Sequence, residues 1–403
     1  MPVWACGKGV LMDIFMKCAD YTAADDAREA GVYPYFIPLT NNEGTEALIG
    51  DHHLIMIGSN NYLGLTVHPK VRQAAMDAVE TFGTSCTGSR FLNGTLELHL
   101  ELEKRLADWV NKDRALVFST GYQVNVGTIS AVVGRGDFVI TDKEDHASII
   151  DGCRLSYGRM KRYPHNDLDA LEKVLASLPE DRGKLVVIDG LFSMGGDVAP
   201  LPDLIPICQK YEARLMVDDA HSIGVLGGGR GTAAMFGVTE GVDLIMGTFS
   251  KSFASLGGFI AGDEDVIDYI QHHARSLIFS ASIPPANAAA AMAALEIMHE
   301  EPERIHRLIE IGEFMRSRYR ALGFNIGASE SPIIPIIIGD DQRTLKFWQA
   351  LFDAGVYTNP VLSPAVPPGL QLLRTSYMAT HTDEQLERVL ATFEKVGKAL
   401  DVI

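Results

Sequence analysis

Lys251 sits in Gly247-Thr248-Phe249-Ser250-Lys251-Ser252, an amine set between hydroxyls just after the apolar run Leu244–Met246. A low local dielectric favours the neutral, nucleophilic amine, and neighbouring hydroxyls can bind a phosphate. One lysine in such a setting is commonplace, so its meaning depends on what else reaches the same place. Asp218-Asp219-Ala220-His221-Ser222 follows the run Leu215–Val217, and Asp189-Gly190-Leu191-Phe192-Ser193 follows Leu185–Ile188. A carboxylate held at a strand end can keep a ring nitrogen protonated, and His221 can donate to a phenolic oxygen of the same ring. His146, within Asp142-Lys143-Glu144-Asp145-His146-Ala147-Ser148, either lies flat on such a ring or caps the next helix. Ser119-Thr120-Gly121-Tyr122-Gln123 leads into a helical pattern, so its amides and hydroxyls form a phosphate cradle. Together these groups suit pyridoxal 5'-phosphate held as a Schiff base on Lys251, with Asp218 at the ring nitrogen.

The elements that must position these groups are short apolar runs: Ala115–Phe118, Phe138–Ile140, Leu185–Asp189, Leu215–Asp218, Leu244–Met246 and Gly258–Ala261. They lack alternation, which marks strands buried on both faces. Helical patterns lie between them, among them Thr95–Val110, with Leu98, Leu102, Leu106 and Trp109 on one stripe, and Pro200–Tyr211. The order predicts an α/β fold with a mostly parallel central sheet and helices on both faces. Ligands in such sheets bind beyond the carboxyl ends of the strands, where the polar groups above collect. From Pro285 the texture changes to an alanine-rich helix (Ala286–His299), a charged helix (Glu301–Leu322), a strand (Ile333–Ile338) and a last helix from Thr382. That reads as a smaller C-terminal α+β domain. The expected division is 1–57 as an N-terminal arm and small segment, 58–284 as the large cofactor-binding domain, and 285–403 as the C-terminal domain.

Bulk properties exclude several classes. The 403 residues are 47% hydrophobic and 22% charged, a folded globular composition. A formal net charge of −17 repels nucleic acid. Cys6, Cys18, Cys86, Cys153 and Cys208 are scattered and never form a CxxC pair, which speaks against a disulfide framework and structural zinc and for a cytoplasmic setting. No metal is expected, since the His52-His53 and His272-His273 doublets lack partner ligands, and Gly227–Gly231 lacks the spacing of a nucleotide-binding loop. The apolar stretch Gly9–Met16 is interrupted by Asp13 and reads as an amphipathic arm, with peripheral membrane contact as the alternative.

The ordered segments Ser59-Asn60-Asn61-Tyr62-Leu63-Gly64-Leu65, Ser119–Tyr122, Asp145–Ser148, Asp218–Ser222 and Gly247–Lys251 resemble those of fold-type I pyridoxal-phosphate enzymes. Within these, the chain is similar to the α-oxoamine synthases, which condense an amino acid with an acyl-CoA and release carbon dioxide. Gly83-Thr84-Ser85-Cys86-Thr87-Gly88-Ser89-Arg90-Phe91-Leu92-Asn93-Gly94-Thr95 and Ser363–Pro367 resemble the bacterial branch that joins L-serine to a palmitoyl-type acyl-CoA, giving 3-oxosphinganine for sphingolipid synthesis. The resemblance implies that Lys251 binds the cofactor and then acts as general base. It implies Asp218 at the pyridinium nitrogen, His221 at the phenolic oxygen, and His146 stacked on the ring near the serine carboxylate. Ser193, Thr248 and Ser250 lie near the cofactor by the same likeness, and Gly121 and Tyr122 hold its phosphate. Ser280 reaches the phosphate of a second subunit, so a homodimer is implied. Arg374 binds the substrate carboxylate, and Asn60, or its neighbour Asn61, meets the substrate. Some members carry an arginine where this chain has Leu362. Phe82, Phe91, Leu92 and Met378 are candidates for an acyl groove or are ordinary core. Other readings are a synthase using glycine or alanine, an aminotransferase, and a catalytically silent binding subunit.

Overall fold

The computed structural model describes residues 13–403. The first half of the Gly9–Met16 arm, up to residue 12, lies outside these residues. The central feature is a seven-stranded sheet in the order Arg114–Phe118, Gly258–Gly262, Leu244–Thr248, Arg214–Asp218, Lys184–Asp189, Phe138–Asp142, Arg159–Tyr163. Gly258–Gly262 runs antiparallel to both neighbours and the remaining pairs are parallel. The expected runs are therefore strands. Alternate residues of these strands enter opposite cores. Val117, Ile140, Val186, Val217 and Phe259 pack on one face, and Leu116, Val139, Val187, Met216 and Ile260 on the other. Helix Glu97–Val110 presents Leu102 and Leu106 to the first face. Helices Gly121–Val132, Ala147–Leu155 and Glu264–His273 cover the second with Val124, Ile129, Ile149 and Ile267. Burial on both sides explains why these strands read as unbroken apolar runs.

A second core lies under a three-stranded antiparallel sheet ordered Ile333–Ile337, Leu372–Ser376, Asn359–Val361. Met315, Tyr319, Phe347, Leu386 and Phe393 fill it from helices Glu303–Leu322, Asp341–Asp353 and Asp383–Ala399. The last helix starts at Thr382, whose side chain accepts from Gln385 N in a capping box. The meander Asn41–Glu43, Glu46–Ile49, His52–Met56 pairs in parallel with Val356–Tyr357 and sends Ile55 and Ile57 into the same core. The alanine-rich helix Pro285–Glu300 instead buries Ala288, Ala291, Ala294 and Ile297 in the core of the large sheet and lies against helix Pro69–Phe82. Strand Leu372–Ser376 sits where these two bodies meet, its Arg374 reaching the loop that leaves Lys184–Asp189.

Candidate active site

Three neighbouring strands end in Asp189, Asp218 and Thr248, and Asp189 lies directly beside Asp218 in the parallel register. Beyond them opens a cavity of about 270 Å³ lined by Gly121, His146, Asp189, Asp218, His221, Thr248, Ser250 and Lys251, among others. Lys251 is partly buried at this rim. Burial brings its amine down to about 8, Arg374 pushes the same way, and Asp218 and Asp189 oppose them. The lysine is thus poised between ammonium and nucleophile near neutral pH.

Two acids face it. Asp218 is 4% exposed; its Oδ2 accepts from Asn125 Nδ2 at 2.6 Å and its Oδ1 from Ala220 N at 3.0 Å. Asp189 has an Oδ1 with no hydrogen-bond partner among the described residues, and burial, then the negative Asp218, raise its pKa well above the carboxylate range. A buried carboxyl oxygen without a partner beside a partly buried amine is a receptor awaiting a polar group.

The imidazoles are fixed by different devices. His221 is buried, and its Nδ1 lies 2.7 Å from the hydroxyl of Tyr62. Arg374 Nη2 donates to that hydroxyl, so its proton goes to the shorter contact and His221 keeps its hydrogen on Nε2. Burial, aided by Lys251, Arg374 and His146, holds His221 well below its ordinary pKa. His146 caps helix Ala147–Leu155 by accepting from Ser148 N at 3.2 Å, and it also lines the cavity. The alternatives of cap and ring partner are therefore compatible in one residue.

Gly121 opens helix Gly121–Val132 against Thr248: a Cβ there would lie 2.6 Å from Thr248 Oγ1. Only glycine lets the helix start approach the strand end so closely, which exposes amides at a site suited to phosphate.

A model of the aminotransferase class I and II family matches residues 52–393. The chain belongs to this family. A serine palmitoyltransferase from Sphingobacterium spiritivorum is 48% identical over 96% of this chain and 97% of its own length. An 8-amino-7-oxononanoate synthase from Geobacter sulfurreducens is 43% identical over 93% of this chain and 97% of its own. Among solved structures, a serine palmitoyltransferase variant from S. paucimobilis with a bound PLP–myriocin aldimine aligns with a TM-score of 0.94. It is 37% identical and covers 97% of this chain and 100% of its own. The fold is that of the fold-type I pyridoxal-phosphate transferases.

Against this family frame, Gly121, Tyr122, His146, Asp218, His221, Thr248, Ser250 and Lys251 line one cavity. Arg374, Ser193 and Asn60 stand next to it through hydrogen bonds. Arg374 Nε donates to Ser193 O at 2.6 Å, and Asn60 Oδ1 is 3.4 Å from the Tyr62 hydroxyl. Asn61 turns away and donates to Thr66 Oγ1 at 2.8 Å, which leaves Asn60 as the member of the pair that faces the site. Ser280 accepts from Gln123 Nε2 at 3.1 Å within its own chain. Met378 is fully buried with Ala47 and Met56, so it is core and not groove. Phe82, Phe91 and Leu92 are exposed. The sequence assigns no individual role to Tyr62, Asn125, Ser148 or Asp189. Tyr62, Ser148 and Asp189 stand in the segments quoted above, whereas Asn125 stands in none.

Proposed function

We propose that this protein catalyses the decarboxylating condensation of L-serine with a long-chain acyl-CoA, giving 3-oxosphinganine, CoA and carbon dioxide. The observation that carries the reading is Lys251, an amine lowered to about 8 that faces Asp218 and Asp189 in a cavity two hydrogen bonds, through Tyr62 and His221, from Arg374, which makes no ion pair among the described residues. The 48% identity to a serine palmitoyltransferase across nearly the whole chain supports the choice of substrates.

The residues present fit pyridoxal phosphate. The helix start at Gly121 would hold the phosphate, Asp218 with Asp189 beside it would hold the ring nitrogen, and Lys251 lines the same cavity. Once bound, that group supplies a protonated ring that accepts electrons from the substrate Cα. Asp218 would hold the ring-nitrogen proton, His221, protonated at Nε2, would donate to the phenolic oxygen, and Thr248 and Ser250 would help hold the phosphate. Lys251 Nζ would hold the cofactor in the resting enzyme and serve as the base for the serine Cα proton. Arg374 presents Nη1 and Nη2 to the serine carboxylate, with Asn60 and His146 orienting the rest of the amino acid.

The active unit in this reading is a homodimer, in which Ser280 meets the phosphate bound by its neighbour. Phe279 beside it is 74% exposed, as expected of a surface that a second copy covers. No described helix is long and apolar enough to cross a membrane, and the site of action is the cytoplasm, with peripheral contact where acyl substrate and product partition.

Purified protein supplied with pyridoxal phosphate and palmitoyl-CoA tests the reading. Release of CoA with serine, several-fold faster than with glycine or alanine, is expected together with 3-oxosphinganine. Turnover with alanine and a short dicarboxylic acyl-CoA, but none with serine, would assign it to the oxononanoate branch instead.

A further inference from the structure

Asn125 lies in the second turn of helix Gly121–Val132 and is fully buried. Asparagine is a poor helix former, and its Oδ1 has no partner among the described residues, so local stability does not explain it. Its Nδ2 donates both hydrogens into the site, to Asp218 Oδ2 at 2.6 Å and to Ser148 Oγ at 2.8 Å. The reverse amide orientation would set Oδ1 against the Asp218 carboxylate at the same short distance, so the assignment is forced by charge. Ser148 Oγ therefore accepts from Asn125 and has its own hydrogen left for His146 Nδ1, 2.7 Å away. Ser148 N also donates to that nitrogen, at 3.2 Å. Every neighbour of His146 Nδ1 is a donor. The nitrogen is then an acceptor, and the ring proton sits on Nε2.

We propose that Asn125 is a positioning residue that sets the direction of a hydrogen-bond chain from Asp218 through Ser148 to His146, so that one buried amide fixes both the acid and the imidazole of the site. The inference rests on the reading of Asp218 and His146 as cofactor-contacting residues, and it assigns His146 an Nε2–H to present to whatever binds in the cavity. The lowered pKa of His146, caused first by desolvation, with Lys251 reinforcing and Asp218 opposing, agrees with a neutral ring.

The test is 15N NMR of the full-length, ligand-free protein with labelled histidine, His146 being assigned by the loss of its signals in His146→Gln. Wild type is expected to show an acceptor Nδ1 and a protonated Nε2; a protonated Nδ1 overturns the proposal. Asn125→Asp is isosteric but can accept from Ser148 Oγ, which then turns from His146 and leaves Nδ1 only the Ser148 amide donor. The expected result is a shift of the two ring-nitrogen resonances toward each other. That shift should be absent from Asn125→Asp/Ser148→Ala when compared with Ser148→Ala. A shift that survives without the Ser148 hydroxyl, or no shift in folded Asn125→Asp, sinks the idea. Should Asn125→Asp fail to fold, Ser148→Ala decides. With only the amide donor left, the two ring-nitrogen resonances move toward each other, and unchanged resonances overturn the chain. Because the spectra are read without cofactor or substrate, a failure of serine turnover leaves this result independent.

Discussion

Arg374 Nε donates to the carbonyl oxygen of Ser193 at 2.6 Å, so the middle strand of the small sheet is pinned to the loop that leaves a central strand of the large one. Arg374 is only 5% exposed, and its terminal nitrogens have nothing better than a 3.3 Å contact to Ser376 Oγ and a 3.4 Å contact to Tyr62. A buried guanidinium with its fork this weakly engaged is an anion receptor.

Arg374→Lys keeps the charge and removes the fork. KM for serine should rise roughly 10- to 100-fold, about 1.4–2.8 kcal/mol of lost recognition. KM for acyl-CoA should change little, and the melting temperature should fall modestly with the loss of the Nε bond to Ser193. Steady-state kinetics in both substrates provides the check, and an unchanged serine KM would remove Arg374 from the substrate site.

Lys251 predicts a pH dependence of cofactor capture. Burial brings its amine to about 8, and only the unprotonated form attacks a carbonyl. The rate at which ligand-free protein takes up pyridoxal phosphate should therefore climb as pH rises, with a midpoint near 8. Stopped-flow absorbance across pH measures it. A midpoint near the ordinary lysine value of about 10.4 would show that the pocket does not tune this amine.

His165 bridges two loops at the strand ends, with Nδ1 3.1 Å from Asp142 Oδ1 and Nε2 2.9 Å from Asp197 Oδ2. Burial alone would lower its pKa, but the hydrogen bonds and charges of Asp142 and Asp197 outweigh burial and lift it to about 10. A folded value above the unfolded value of about 6.5 means that the stabilisation is complete below about 6.5 and fades as pH climbs to about 10. His165→Gln should cost roughly 2–4 kcal/mol at pH 6, with the gap from wild type closing as pH approaches 10. Urea unfolding at several pH values tests the sign, and a gap that widens with pH would refute it.

The strands that build the site were legible because burial on both faces leaves an unbroken apolar signature, and the chemistry lies one to a few residues beyond each. Strand Arg159–Tyr163 escaped notice because it is an edge, with only Tyr163 buried and a basic sequence that guards an exposed ladder. The meander at 41–56 escaped because its strands are short and their partner, Val356–Tyr357, lies some three hundred residues away. Separation along the chain likewise hides the partners of the candidate site residues. Tyr62 reaches His221, and Asn125 reaches Asp218, across intervals that no local pattern encodes. Sequence spacing names the groups that carry charge or a proton, whereas the residues that aim them are neutral and ordinary in context.

Arg90 anchors the loop Gly83–Thr95, and its anchorage separates loop function from loop chemistry. Its guanidinium makes a bidentate pair with Glu103, 2.7 and 3.1 Å long, and Glu103 Oε1 also accepts from Val117 N at 2.8 Å. Both side chains are nearly buried, at 7% and 11% exposed. Nearby, Gly88 O accepts from Ser282 N at 2.9 Å, so the loop is tied to the segment that carries Ser280, while Phe91 and Leu92 remain exposed at its tip. Removing one partner of such a pair strands a charge in the interior. Glu103→Ala should therefore cost roughly 3–5 kcal/mol and lower the urea midpoint. Arg90→Met leaves a buried carboxylate that still has one amide donor, so a smaller loss is expected, enough to loosen the tip while the body stays folded. If Phe91 and Leu92 line the path of the acyl chain, Arg90→Met raises KM for palmitoyl-CoA severalfold and leaves serine binding unchanged, because no residue of this loop lines the cavity at Lys251. Equal losses for both substrates would place the loop's role in general stability instead of acyl recognition.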